Sequence, residues 1–293
     1  LKHFTTIPVP EIYYHDLDPD NNIGAPFVLM ERMPGRHLHK MWDNLSLEAK
    51  KSALSQIASI VAQLASLKFD QIGSLDEHGV GPIISRCFEQ PKGPFQSTSE
   101  YLRSFISPES AESTELKDLL QQTWEELDRF LAINDHATYL QPPFCLIHAD
   151  FDGQNMLFLE SVENSGLTLT GLIDFEYAHT GPLYFLYEYP IFIQDVSWSK
   201  ELYSENAVLR AHFVRAIYDA LPTSEERSTF IASMNDKSFA LNAFKDSFMT
   251  LRCSEETLID SATFYIQSLK DGTGLAYSGR KVTVGGVPDW EVA

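Results

Sequence analysis

Between Leu146 and Asn155 the chain reads LIHADFDGQN. A histidine, His148, two aspartates, Asp150 and Asp152, and an asparagine, Asn155, follow an apolar run. Downstream, LIDFE places Asp174 at the end of a second apolar run. These residue types suit two tasks. An aspartate and an amide oxygen hold a hard cation such as magnesium, which keeps some waters and completes its shell with bound phosphates. A separate carboxylate beside them accepts or orients the proton of an attacking hydroxyl. Asp174 and Asn155 fit the first task and Asp150 the second. A solvated loop next to a hairpin is the plain alternative, and Asp152 and Glu176 read as ordinary surface acids.

The elements that must position these groups are short. FCLIH (144–148) is a β-prone run. NMLFLE (155–160) and LTLTGLID (167–174) read as the two strands of a hairpin, with Asn164 and Gly166 of SVENSG suited to its tight turn. Neighbouring strands lie roughly 5 Å apart. A hairpin paired end to end would therefore set Asn155 beside Asp174 at its open mouth, with Asp150 and His148 a few residues back. Base, asparagine and metal-binding aspartate in this order is the layout of kinase-type phosphoryl transfer.

HADFDGQN followed by IDFE resembles the catalytic-loop and metal-loop motifs of the aminoglycoside phosphotransferase/choline kinase-like family, whose fold is related to protein kinases. The family's loop usually reads H-G-D-x-x-x-x-N, followed by I-D-[FW]-[DE]. His148, Asp150, Asn155 and Asp174 match, and Ala149 stands where glycine is usual. DFDGQN and the later GPLYFLYEYP look most like the fungal branch. The resemblance implies an α+β, protein kinase-like fold with a small β lobe and a mostly helical large lobe carrying the catalytic-loop hairpin. It implies ATP as co-substrate, Mg²⁺ on Asn155 and Asp174, Asp150 as base, and His148 bracing the loop by hydrogen bonds. It also implies a hinge in FVLMERMPG: the Glu31 carbonyl and Met33 amide would read adenine, and Met30 would line the back of the pocket. GPFQSTSEYLRSF (93–105) is a third family-like stretch. The acceptor would be a small hydroxyl compound bound among the C-terminal helices.

The same resemblance sets an expectation about the front of the site. The family's phosphate-covering loop, its lysine and the glutamate holding that lysine precede the hinge strand. Residues 1–26 contain one lysine, Lys2, and one glycine, Gly24. The small lobe is thus expected to be incomplete over 1–33, with the helical lobe at 34–293, and the chain to be an N-terminally truncated piece, consistent with its initial leucine. A catalytically inactive pseudokinase or binding module is the alternative. A metal-dependent hydrolase using Asp150, Asp152 and Asp174 is weaker, because the single asparagine and the hinge-like strand argue against it.

The rest of the pattern is helical. Leu47, Leu54, Ile57, Val61 and Leu64 recur at helical spacing behind Ser46, predicting an amphipathic helix over 47–67. Leu116, Leu119, Leu120, Trp124, Leu127 and Leu131 predict another over Thr114–Ile133. Helix is expected at 205–221 and over much of 224–270, broken at Pro222. Phe27 to Glu31 reads as a buried strand, Gly73 to Pro94 as a Gly/Pro-rich stretch, and SWSKELYSEN and the C-terminal GLAYSGRKVTVGGVPDWEVA as loop or tail.

Composition bounds the rest. The 293 residues are 44% hydrophobic and 22% charged, a globular balance. A net charge of −19 repels nucleic acid and anionic membrane surfaces and would suit a cationic or polyhydroxyl acceptor. No apolar run approaches the roughly 18 residues of a membrane span. Three scattered cysteines argue against a disulfide framework or structural zinc, and for a reducing, cytoplasmic setting.

Overall fold

Each long amphipathic period becomes a helix with a serine at its start. The computed structural model describes residues 1–85, 88, 90–160, 166–194, 196, 198–234, 238, 241, 242, 244, 247, 248 and 254–271. Helix α1 (Leu47–Ser66) is capped by Ser46, whose hydroxyl accepts from the Ala49 N–H. Its buried stripe runs through Leu54, Ile57, Val61 and Leu64, whereas Leu47 is exposed at its first turn. Helix α2 (Thr98–Arg103) is capped by Ser97. Helix α3 (Thr114–Ile133) is capped by Ser113 and buries Leu116, Leu120, Leu127 and Leu131. A short α4 spans Leu183–Leu186. Helix α5 (Lys200–Ala220) begins inside SWSKELYSEN, because Ser199 caps it and accepts from the Leu202 N–H. The expected loop there ends at that cap. Helix α6 (Ser224–Ser233) carries a full capping box of Thr223 and Glu226. Helix α7 spans Glu255–Asp271.

The strands make three small sheets, so the chain is α+β. β1 (Ile12–Asp16) pairs antiparallel with β2 (Phe27–Met30). β3 (Arg36–His37), β7 (Met156–Glu160) and β8 (Leu167–Leu172) form a three-stranded sheet in that order. β4 (Ser74–Asp76), β5 (Gly79–Gly81), β6 (Cys145–Ile147) and β9 (His179–Gly181) form the third, in the order β5-β4-β9-β6. β4 and β5 thus occupy part of the Gly/Pro-rich stretch.

β2 is a strand, as its apolar run predicts, but it is not buried. Val28, Leu29 and Met30 are all exposed. Its one partner strand is β1, and Ile12, Tyr13 and Tyr14 there are exposed as well. An apolar run marks a strand; burial also needs a second layer, and this hairpin packs against none among the described residues.

The hairpin β7–β8 is held on three sides. Gln56 of α1 clamps the open edge of β8: its amide donates to the Leu167 carbonyl (2.9 Å) and accepts from the Leu169 N–H (2.8 Å). β3 covers the other edge through Phe158 and Leu157. The Leu172 N–H donates to the Pro8 carbonyl at the hairpin's base (2.7 Å). Helix α1 packs on α5, where buried Lys50 meets Glu205 at 2.6 Å. The hairpin turn 161–165 and the C-terminal stretch from 272 on lie outside the described residues. No helix among the described residues is long and apolar enough to cross a membrane.

The linker from β2 to β3 needs glycine where it meets the hairpin. Gly35 has φ +115°, and a Cβ there would lie 2.8 Å from both the Phe158 carbonyl oxygen and the Thr170 hydroxyl. Gly35→Ala is therefore expected to lower unfolding stability by roughly 2 kcal/mol through backbone strain and overpacking. An unchanged denaturant midpoint would contradict this close approach.

Candidate active site

The polar loop runs from the end of β6 to the start of β7, and a buried histidine ties it to the end of β8. His148 is 1% exposed. Its Nδ1 accepts from the Asp150 N–H (3.3 Å), so Nε2 carries the proton and donates to the Ile173 carbonyl (2.9 Å). Phe175 packs on the ring at 4.4 Å and Phe151 at 5.9 Å. Burial lowers the imidazole pKa; the Ile173 carbonyl and the charges of Asp150 and Asp174 pull it back in part. His148 is thus a neutral brace between two segments, and both carboxylates lie close enough to act on it.

Asn155 is buried and points its amide nitrogen at Asp150. It donates to the Asp150 backbone carbonyl and to a carboxylate oxygen, both at 2.9 Å. Both partners accept, so the amide nitrogen faces Asp150 and its oxygen is turned away. Gln154 adds weaker contacts from its own amide to both Asp150 oxygens (3.2 and 3.4 Å). The Ile173 N–H donates to the Asn155 carbonyl (3.0 Å), following the Met156–Leu172 pair. The register therefore sets Asn155 opposite Ile173, with Asp174 one residue further. This differs by one position from end-to-end pairing.

Two backbone positions at the site are left-handed: Ala149 (φ 67°) and Asp174 (φ 69°). For an L residue this conformation costs about 1–2 kcal/mol. At Ala149 it explains why glycine suits the position. At Asp174 the turn sends the chain away from β8 at the point where Ile173 meets His148.

The linker reaches the same loop. The His39 N–H donates to the Gly153 carbonyl (3.1 Å), and His37 Nδ1 donates to the Gln154 carbonyl (2.5 Å). Neither histidine stood out in the sequence. A two-residue strand carries no period, so the only signal was their position directly after the hinge.

A cleft of about 270 Å³ opens between the loop 147–152 and the segment 185–194. Asp150 and Asp152 line it from one side, and Phe185, Glu188, Tyr189 and Ile191 from the other. GPLYFLYEYP, which carries most of that second wall, stood out in the sequence only for its likeness to the fungal branch and was given no place in the site. The wall is pinned from α5: Asn206 donates to the Gln194 carbonyl (2.8 Å) and Arg210 to the Ile193 carbonyl (3.0 Å). Glu31, Met33 and Met30 do not line this cleft. The Glu31 N–H donates to the Glu11 carbonyl (2.7 Å). The Glu31 carbonyl and the Met33 N–H have no hydrogen-bond partner among the described residues. A Cβ on Gly171 would lie 3.0 Å from that of Met33, so Met33 packs against β8. Met30 is 46% exposed. Among the described residues no three His, Cys, Asp or Glu side chains gather as a metal cage. Cys145 is buried beneath the loop, with its thiol pushed up to about 12 by desolvation; Cys87 and Cys253 lie outside the described residues.

The model of the APH family, described as a phosphotransferase enzyme family, matches residues 2–185. A subtelomeric hrmA-associated cluster protein of Aspergillus fumigatus is 26% identical over 136 residues, covering 37% of this chain and 27% of that protein. Altered inheritance of mitochondria protein 9, mitochondrial, of Eremothecium gossypii is 28% identical over 127 residues, covering 32% of this chain and 21% of that protein. The chain thus matches about a quarter of these relatives' lengths. Among solved structures, ADP-bound aminoglycoside phosphotransferase APH(2'')-Ib is 17% identical, with a TM-score of 0.49 over 90% of this chain and 76% of that one.

Two outcomes follow from the brace and its strained neighbour. Ala149→Gly relieves the left-handed strain at some cost in chain entropy, for a net gain of up to about 1 kcal/mol in denaturant unfolding; a clear loss would contradict it. Because the folded pKa of His148 is depressed, the unfolded chain takes up the proton first. Stability is therefore full above about pH 6.5 and falls as pH drops below it. His148→Gln should flatten that part of the stability profile; an unchanged acid slope would show that another group sets it.

Proposed function

The chain belongs to the APH phosphotransferase enzyme family, and from that premise we propose that it carries the site of an ATP- and Mg²⁺-dependent phosphoryl transfer to the hydroxyl of a small molecule. The observation that supports this most is the convergence of Asp150, Asn155 and Asp174 around one buried histidine. Asp150 would receive or orient the acceptor's hydroxyl proton. It is held for this by amide donors from Asn155 and Gln154, and it faces the cleft.

Asn155 and Asp174 would hold the metal. The donor set fits a hard cation, with an amide oxygen turned away from Asp150 and a carboxylate set apart by its own left-handed turn. The metal, when bound, would neutralise charge developing on the transferring phosphoryl group. The Glu31 carbonyl and Met33 N–H would read adenine at the hinge, where both lack a hydrogen-bond partner among the described residues; Met30 would flank the ring. The acidic cleft walls would favour a neutral or cationic acceptor.

A second reading, a ligand-binding module without transfer, is favoured by the cleft's charge: Asp150 and Asp152 line it, and no lysine or arginine does among the described residues.

Removing the proposed base separates the two. Asp150→Ala should cut ATP-dependent phosphorylation of an acceptor by about 10²–10⁴-fold while nucleotide affinity is kept. Turnover that survives the substitution would remove Asp150 from that role. A wild-type chain that binds nucleotide yet phosphorylates nothing across a panel of alcohols would favour the second reading.

A further inference from the structure

The net charge alone pointed to a cationic or polyhydroxyl acceptor, and the cleft itself is more selective. At about 270 Å³ it is small. An apolar cavity of about 150 Å³ holds a benzene ring, so this cleft, which is open to solvent, covers a single ring with a short chain. Ile147, Phe151, Phe185, Tyr189, Pro190 and Ile191 give its walls much of their apolar surface. Ile191 at the rim is 66% exposed, apolar surface that a bound ring would cover.

The charged groups are of one sign. Asp150, Asp152 and Glu188 bring carboxylates, Gln194 an amide, and His148 an imidazole whose ring nitrogens are already engaged. No lysine or arginine lines the cleft among the described residues. An anionic acceptor would meet the carboxylates of Asp150 and Asp152 with no lysine or arginine in the cleft walls to offset them. A sugar would pair some of its hydroxyls with the carboxylates and the Gln194 amide but set the others against phenylalanine, proline and isoleucine, where each unpaired hydroxyl carries a desolvation penalty. The second wall is also fixed before binding: Gln194 donates to the Tyr189 carbonyl (3.1 Å), and Asn206 and Arg210 hold the carbonyls of Gln194 and Ile193. A fixed apolar wall loses little entropy on closing over a ring.

We infer that this cleft takes a small alcohol with a single-ring apolar body, neutral or carrying one positive charge, its hydroxyl directed to Asp150. The hydroxyl's role as acceptor rests on the phosphotransfer proposal; the ligand class rests on the cleft.

The test uses four probes of similar size and different chemistry: 2-phenylethanol, the cationic 2-amino-1-phenylethanol, the anionic mandelate, and glucose. Binding is read from the methyl resonances of Ile147 and Ile191 as each probe is titrated into the whole chain. Saturable shifts with the first two and none with mandelate or glucose are expected. Ile191→Asp, at an exposed position that leaves the core intact, should weaken 2-phenylethanol roughly tenfold. Glucose or mandelate shifting these methyls at least as well as 2-phenylethanol, or no probe shifting them at all, would overturn the inference. If 2-phenylethanol binds at these methyls and ATP does not phosphorylate it or its amine analogue, the ligand class stands and the phosphotransfer proposal loses its support.

Discussion

The geometry of the site depends on one buried imidazole with two backbone partners. His148 accepts from the loop that carries Asp150 and donates to the carbonyl just ahead of Asp174. Those partners are far apart in sequence. Burial keeps the ring neutral, so it bridges a donor and an acceptor at once; a charged imidazole would offer two donors to a site needing one of each. Most of the surrounding architecture can be understood as holding these two segments within reach of that ring. β6 delivers His148 and pairs with β9 beyond Asp174. The β7–β8 hairpin fixes Asn155 and Ile173, and Gln56 fixes the hairpin to α1.

Such an arrangement concentrates negative charge. Asp150 and Asp174 both act on one imidazole, and Asp152 lines the cleft beside Asp150. Neutral donors steady this cluster: the amides of Asn155 and Gln154 on Asp150, and the Gly153 N–H on Asp152 at 2.6 Å. Neutral amides orient a carboxylate without cancelling its charge. A polyphosphate approaching this cluster would be repelled unless a divalent cation came with it, which is the physical reason to join Asn155 and Asp174 to a metal.

Much of this was legible in the sequence, for different reasons at different scales. Ser46 and Ser113 announced their helices because a cap and a helical period are local signals. The hairpin was legible from two β-prone runs around a turn. The bracing role of His148, implied by resemblance, agrees with its two backbone bonds. Other features are tertiary and left no local trace. β2 has a buried strand's composition and an exposed strand's surroundings. A shift between Leu157 and Phe158 sets Asn155 opposite Ile173 rather than Leu172, one short of Asp174. β9 is three residues long, too short for any period. The anchoring of Gly153 and Gln154 by His39 and His37 depends on where the linker lands. The start of α5 was misread because SWSKELYSEN is polar, although Ser199 was its cap.

The central claim is that a loop and a hairpin end, joined through His148, form one site for a metal–nucleotide pair. Isothermal titration of the chain with ATP, with and without Mg²⁺ and repeated on Asp174→Asn, tests it most directly. The account predicts that Mg²⁺ tightens ATP binding to the wild-type chain and that the substitution removes this gain. ATP affinity indifferent to Mg²⁺, or a Mg²⁺ gain that survives Asp174→Asn in a folded chain, would contradict it.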